Sequence, residues 1–252
     1  MPLPLALTLS ALISLLGWRL RALTRGGALA ACAVGTSILI PTGWAGLAAL
    51  GAFFVGSSLI SRLAPDRGAE QFDTKGSQRD LWQVLANGGA AALAALVLQD
   101  AALPVVTISL AAAAADTWAT ACGAWSPTLP VHLLTGRQVP AGSSGGVTVL
   151  GTAGAALGAG LVGLASAAVA ESWSLFSPAL LLGMLGMAVD SMLGAAAQGR
   201  FHCTGCDQLT ERRVHRCGLP TRHTGGLAWL TNDAVNALAT GTATVLGWWL
   251  SR

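Results

Sequence analysis

Apolar residues run through the chain in blocks separated by short polar connections. The blocks are Leu3 to Trp18, Gly26 to Ile40, Trp44 to Ile60, Leu81 to Leu98, Leu103 to Trp125, Gly145 to Ala170, Pro178 to Ala197 and Leu227 to Leu250. A straight helix crossing a bilayer takes about 20 residues, so these blocks read as membrane spans, the shorter ones with soft ends and room for a re-entrant pair. Arg19, Arg21 and Arg25 follow the first block instead of preceding it, which reads as a retained helix and not a cleaved signal peptide. The pattern predicts an all-α, polytopic integral membrane bundle of about eight transmembrane helices, a single domain over residues 1–252.

The placement of charge gives the orientation, because Lys and Arg collect in cytoplasmic connections. With eight spans and both termini outside, the inner connections hold Arg19 to Arg25, Arg62 to Arg79, Arg137, and Arg200 to Arg222. Every Lys and Arg except Arg252 then lies inside, and the outer connections near Pro41, Asp100 and Glu171 carry no positive charge. Composition agrees: 53% of residues are hydrophobic, 10% are charged and the mean hydropathy is +0.62, far more apolar than a soluble domain. The 32 glycines suit close helix packing in lipid. The net charge of +3 belongs to this topology and marks no nucleic-acid surface, since no basic run is interleaved with aromatics and Tyr is absent. The expected location is the plasma membrane, with the chemistry on the cytoplasmic side.

Polar residues inside the apolar blocks narrow the function. Asp116, Asp190 and Asp233 sit within or at the edge of blocks, accompanied by Asn87, Asn232 and Asn236. A carboxylate in hydrocarbon costs several kcal/mol unless it is paired or faces a polar cavity, so it marks a functional site by default. Separate helix-packing carboxylates are the plainer alternative. All three aspartates fall on the cytoplasmic side of their helix midpoints, at the level of Lys75, Arg79 and Arg137, and this shared depth favours one site for a metal and phosphates. Arg62 and Arg67 are read as topology and headgroup residues. The turn Gly142-Ser143-Ser144-Gly145-Gly146 opens an apolar block, and backbone N–H groups freed there would cradle an anion. If a helix begins near Asp80, Gln83 and Asn87 share a face one turn after Arg79.

The last inner connection, 199–224, carries Cys203-Thr204-Gly205-Cys206 and then His215-Arg216-Cys217. A CxxC knuckle followed by HxC offers four ligands at zinc spacing, and a structural zinc would fold a loop too small for its own core. Reduced thiols without a metal are the competing reading; a disulfide suits the cytoplasmic side poorly.

The ordered set formed by Lys75-Gly76 with Arg79-Asp80, Gln83 to Gly88, Asp116 to Thr120, Thr135 to Arg137 with Val139-Pro140, Gly142 to Val147, Asp190-Ser191 with Gly194-Ala195 and Gln198, and Asn232-Asp233 with Val235-Asn236 resembles one membrane family. This is the family known as domain of unknown function 92, which includes animal transmembrane protein 19 and the chloroplast phytyl-phosphate kinase. The likeness spans about residues 20 to 245. It implies a CTP-dependent kinase that converts an isoprenoid monophosphate to the diphosphate. Two positions depart from the family pattern: Ala121 stands where a glutamate is usual, and Ser144 where threonine is common.

Phosphoryl transfer asks a protein for positioning and charge neutralisation. Lys75 and Arg79, with Asp116 and Asp190, are the expected catalytic residues. Asp116, Asp190 and Asp233 would hold Mg²⁺, and Asn87, Arg137, Gly142, Ser143, Ser144, Gly145, Gly146, Asn232 and Asn236 would bind the nucleotide and phosphates. A lipid acceptor fits carboxylates placed where a bilayer head group and a cytoplasmic nucleotide can meet. A phosphomonoester acceptor is already largely ionised at neutral pH, whereas a lipid alcohol would need an aspartate as base. A transporter or scramblase of an anionic substrate is the rival from another class, and a nucleotidyltransferase releasing pyrophosphate is a further enzyme reading.

Overall fold

The computed structural model describes residues 1–65 and 78–252. The chain is mostly helical: α1 (Leu3–Arg19), α2 (Arg25–Leu63), α3 (Leu81–Leu98), α4 (Ala102–Gly123), α5 (Val149–Ala170), α6 (Phe176–Ala197) and α7 (Asn232–Leu250). Helix starts follow from polar caps. Thr24, Thr148 and Thr231 each accept a backbone N–H from the residue three positions on, and Asp80 forms a reciprocal capping box with Gln83.

The expected spans 26–40 and 44–60 are the two helical halves of α2, divided at Gly43 (φ 60°), just past Pro41. The element reverses there. A Cβ on Gly35 would lie 3.6 Å from Leu50 Cδ2, and both ends of α2 meet Arg79, whose carbonyl accepts the Thr24 N–H while its guanidinium lies over Phe53 and Phe54. Among the described residues, four stretches have the length and hydropathy to cross a membrane: Arg25–Leu63, Leu81–Gly123, Val149–Ala170 and Trp173–Ala197.

At the core is α4, with 14 of its 22 residues buried, including Leu110 and the run Ala111 to Ala115. It packs against α2, α3, α5, α6 and α7. A helix apolar on all sides is a core helix, and its alanines let neighbours approach closely. At Gly154 of α5, an added Cβ would sit 2.5 Å from Cys122 Cβ, so any side chain would push the helices apart. Outward positions such as Leu3, Leu12, Leu29, Val55, Leu93 and Leu181 are exposed leucines and valines suited to lipid.

The all-α expectation needs an addition: two connections form small antiparallel sheets. Strands β1 (Val131–His132) and β2 (Gly146–Val147) pair, and β3 (Arg200–Cys203) lies between β4 (Gln208–Thr210) and β5 (Arg222–Gly225). The helices run antiparallel in sequence, so both connections emerge at the bundle end where α1 meets α3: Arg62 donates to the Leu20 carbonyl there, and Leu23 bridges to Arg79. At the opposite end, the Met1 amine donates to the Ile40 carbonyl. Two helix starts also shift. The block expected from Gly145 begins at Val149, because Gly146 and Val147 pair with β1, and that expected from Leu227 begins at Asn232, where Thr231 supplies the cap.

Candidate functional site

Asp116 stands where α4 leaves its alanine run, and Asp190 lies near the corresponding end of α6, a helix packed along α4. Their carboxyl groups come within hydrogen-bonding reach of each other. Two carboxylates so close repel unless a proton or cation lies between them. Asp190 Oδ2 is buried and meets no hydrogen-bond donor among the described residues.

Two loops close over this pair. The turn Gly142 to Gly146 is held against the end of α6, where Gly145 (φ 74°) approaches so closely that an added Cβ would lie 2.2 Å from Ala195 Cβ. Only glycine combines that backbone angle with that approach. The turn does not open a helix directly, as expected from sequence: β2 intervenes, and Thr148 takes up the Gly151 N–H itself. What the turn delivers is Ser144, whose hydroxyl donates to Glu211 Oε1. Glu211 follows β4, its carboxylate also contacts the Gln198 side chain, and its charge is felt at Asp190. Burial pushes the Glu211 carboxyl up from the ordinary glutamate range, against the opposing pull of the Ser144 and Gln198 contacts. Asp116, Asp190 and Glu211 thus converge from α4, α6 and the β4–β5 connection. Oxygen donors of this kind, one with an unused buried lone pair, suit a hard divalent cation such as Mg²⁺.

The other expected residues are dispersed. The Arg79 guanidinium sits 5.2 Å from the Phe53 ring centroid and 6.0 Å from Phe54, and burial lowers its pKa to about 10. Its backbone, bonded to Ala22 and Thr24, sets that position. Arg137 is exposed in the turn between β1 and the glycine segment, its carbonyl accepting the His132 N–H. Lys75 lies outside the described residues. Asn87 donates to the Gln83 carbonyl one turn back on α3. Asp233 lines a cleft of about 470 Å³ between α3 and α7 with Trp82, Leu85 and Ala86. Asn236 is buried in α7, with its Oδ1 meeting no donor among the described residues, whereas Asn232 is exposed at that helix's start. Directly after the glycine turn, Val147, Thr148 and Thr152 join Leu129, Val131 and Met184 around a largely apolar cavity of about 610 Å³.

In the second connection, Cys203, Cys206, His215 and Cys217 bring their ligand atoms within 4.8 Å of one another. The hydrogen bond with His215 pulls the Cys217 thiol down to about 6, and contact with Cys217 pushes Cys206 up to about 11.

The model of the integral membrane protein family DUF92 matches residues 8–244, a stretch that runs from within α1 to within α7 and takes in both site-forming connections. The chain belongs to the DUF92 family. Protein PGR of Arabidopsis thaliana is 28% identical to it over 264 aligned positions, covering 92% of this chain and 90% of that protein. No solved structure matches. The DUF92 resemblance drawn from the ordered motifs is therefore the right family, and the chain is an integral membrane protein. Beyond the two helix aspartates, Glu211 brings this DUF92 chain a further carboxylate from a different segment. Sequence reading missed it because it looks like an ordinary loop charge beside Arg212 and Arg213; its position between Cys206 and His215 was the available signal.

Proposed function

We propose that the chain is a CTP-dependent, Mg²⁺-assisted kinase that phosphorylates an isoprenoid monophosphate of phytyl type at the cytoplasmic face of the plasma membrane. The observation that carries this reading is the convergence of Asp116, Asp190 and Glu211 beneath the Ser144 turn, next to an apolar cavity. Asp116, Asp190 and Glu211 would hold the magnesium, which when bound neutralises charge on the transferring phosphoryl group. Arg137, exposed on its turn, supplies positive charge to the nucleotide, Lys75 is proposed as a further cation, and the glycine turn offers phosphate oxygens its N–H groups other than those of Ser143 and Gly146, which bond Pro140 and Ser143. The cavity around Val131, Val147 and Met184 takes the first part of the prenyl chain, so the acceptor arrives from the bilayer while CTP arrives from solution. Asp233, Asn232 and Asn236 reach the same end of the bundle on α7 and are proposed as further contacts to the nucleotide.

Eight membrane crossings with both termini outside belong to this proposal. The reversal of α2 at Gly43 supports that count, and the gathering of Arg62, Arg79 and both connections at one end supports the orientation.

The test is transfer of label from γ-labelled CTP into lipid by the detergent-purified protein, with Mg²⁺ and a panel of prenyl monophosphates and prenyl alcohols. Label in a lipid diphosphate supports the proposal. Label only with alcohols makes the enzyme a lipid-alcohol kinase with an aspartate as base, release of pyrophosphate indicates a nucleotidyltransferase, and the absence of both transfer and nucleotide binding returns the transporter reading.

A further inference from the structure

We propose that Cys203, Cys206, His215 and Cys217 bind one zinc ion, and that this metal fixes the segment carrying Glu211 against Ser144 and Asp190. The proposal stands whatever reaction the acidic site performs.

Its first support is the geometry of the four side chains. Cys203 Sγ lies 3.6 Å from Cys217 Sγ, and His215 Nδ1 lies 3.1 Å from Cys217 Sγ. A disulfide would need roughly 2.05 Å between sulfurs. Thiolates bound tetrahedrally at about 2.3 Å from zinc stand roughly 3.8 Å apart. The observed separation is therefore that of neighbouring ligands on one metal. Three soft sulfurs with one imidazole are a zinc donor set, unlike the oxygen donors of the acidic site.

The second support is burial without another explanation. Cys203 and His215 are 0% and 3% exposed, yet His215 Nε2 meets no partner among the described residues. Nδ1, the ring nitrogen that faces Cys217 Sγ, is the one a metal would take, and a bond there offsets part of the cost of burying the ring; Nε2 is not a ligand. The turns are shaped for the cluster. Gly205 passes so close to Leu219 that a Cβ would lie 2.3 Å from its Cδ1, and the His215 carbonyl accepts the N–H of Gly218, which has φ 84°.

The third support is the weakness of this segment without a staple. Its strands are three or four residues long, and Leu209, Val214 and Leu219 are about half exposed, leaving Phe201, Cys203, Thr210 and His215 as its buried residues up to Gly225. So small a buried set does not hold a fold alone. Glu211 lies between Cys206 and His215, so a metal bound to both fixes the chain on either side of the carboxylate.

The experiment uses the full chain purified in detergent from zinc-replete medium. Metal analysis should find about one zinc per chain in the wild type, and a large loss in Cys203→Ser and Cys217→Ser. Cys206→His, which keeps a ligand, should retain the metal and so separates coordination from misfolding. Replacement by Co²⁺ should give the intense sulfur-to-cobalt absorption of a tetrahedral thiolate site. Hydrogen exchange before and after chelation should then speed up in 208–215 and in 142–147, with α4 unchanged. Zinc absent from the wild type, or undiminished in both serine variants, overturns the metal site. Unchanged exchange at 142–147 after zinc loss overturns its coupling to Ser144 and the acidic site.

Discussion

Replacing Glu211 by Gln separates what this carboxylate does for folding from what it does for function. Gln keeps the shape and an acceptor oxygen for the Ser144 hydroxyl, so the hydrogen bond survives in neutral form. Charge-assisted hydrogen bonds contribute roughly 1.5–3 kcal/mol and neutral ones about 1, so the direct loss is on the order of 1 kcal/mol. Opposing it is the burial that pushes the Glu211 carboxyl upward and outweighs the Ser144 and Gln198 contacts. A carboxyl whose folded pKa is raised contributes stability below its unfolded pKa and loses it as pH rises through the folded value. Glu211→Gln does not titrate, so its stability relative to wild type should improve from pH 4 to pH 8. Turnover should move the other way, falling about 10²- to 10³-fold for loss of one charge-stabilising group, or roughly 2.7–4 kcal/mol of transition-state stabilisation. Thermal unfolding in detergent without added Mg²⁺ at several pH values reads the first effect, and label transfer from CTP with saturating Mg²⁺ reads the second. A pH-independent stability difference would refute the burial argument. Wild-type turnover would remove Glu211 from the site.

Other substitutions test neighbouring parts of the argument. Asp116→Asn and Asp190→Asn should each abolish measurable turnover while membrane insertion is kept, and the double variant should lose no more than either alone, as expected for groups acting as one unit; Arg137→Ala should also abolish it if its charge faces the nucleotide. Gly145→Ala forces a Cβ into Ala195 at a positive φ and should destabilise the turn by about 1–3 kcal/mol, seen as faster exchange at 142–147 with unaltered helix content. Arg79→Met keeps a long side chain against Phe53 and Phe54 but removes the cation; it should lower stability by roughly 0.5–2 kcal/mol without changing the KM for CTP, and a selective KM effect would return Arg79 to the site.

The apolar blocks and the helix start at Asp80 were legible in sequence because helix formation in lipid is local: each span satisfies its own backbone, and a cap acts within three residues. Asp116 and Asp190 were legible for a related reason, since a carboxylate in an apolar run is conspicuous wherever it ends up. The grouping of Cys203, Cys206, His215 and Cys217 could be read from spacing alone. Glu211 could not, because its burial is created by the register of β4 on β3 and by a serine 67 positions earlier. Arg79 was legible as a charge beside a helix start, but its surroundings were not, because backbone bonds to Ala22 and Thr24, more than 50 residues away, set it over two phenylalanines. Pro41 marked the connection between two spans, and the reversal falls two residues on, at Gly43.

The alanine-lined α4 also bears on how such a protein can vary. A helix surrounded by neighbours has no lipid-facing side on which a larger residue can be absorbed, and a slip of one residue would move Asp116 about 1.5 Å along the axis and about 100° around it. Changes in α1, most of whose leucines face outward, alter only the fit to the surrounding lipid. Divergence should therefore collect on the outer helices, while residue size along α4 stays small, making that helix the fixed ruler from which the position of the acidic site is measured.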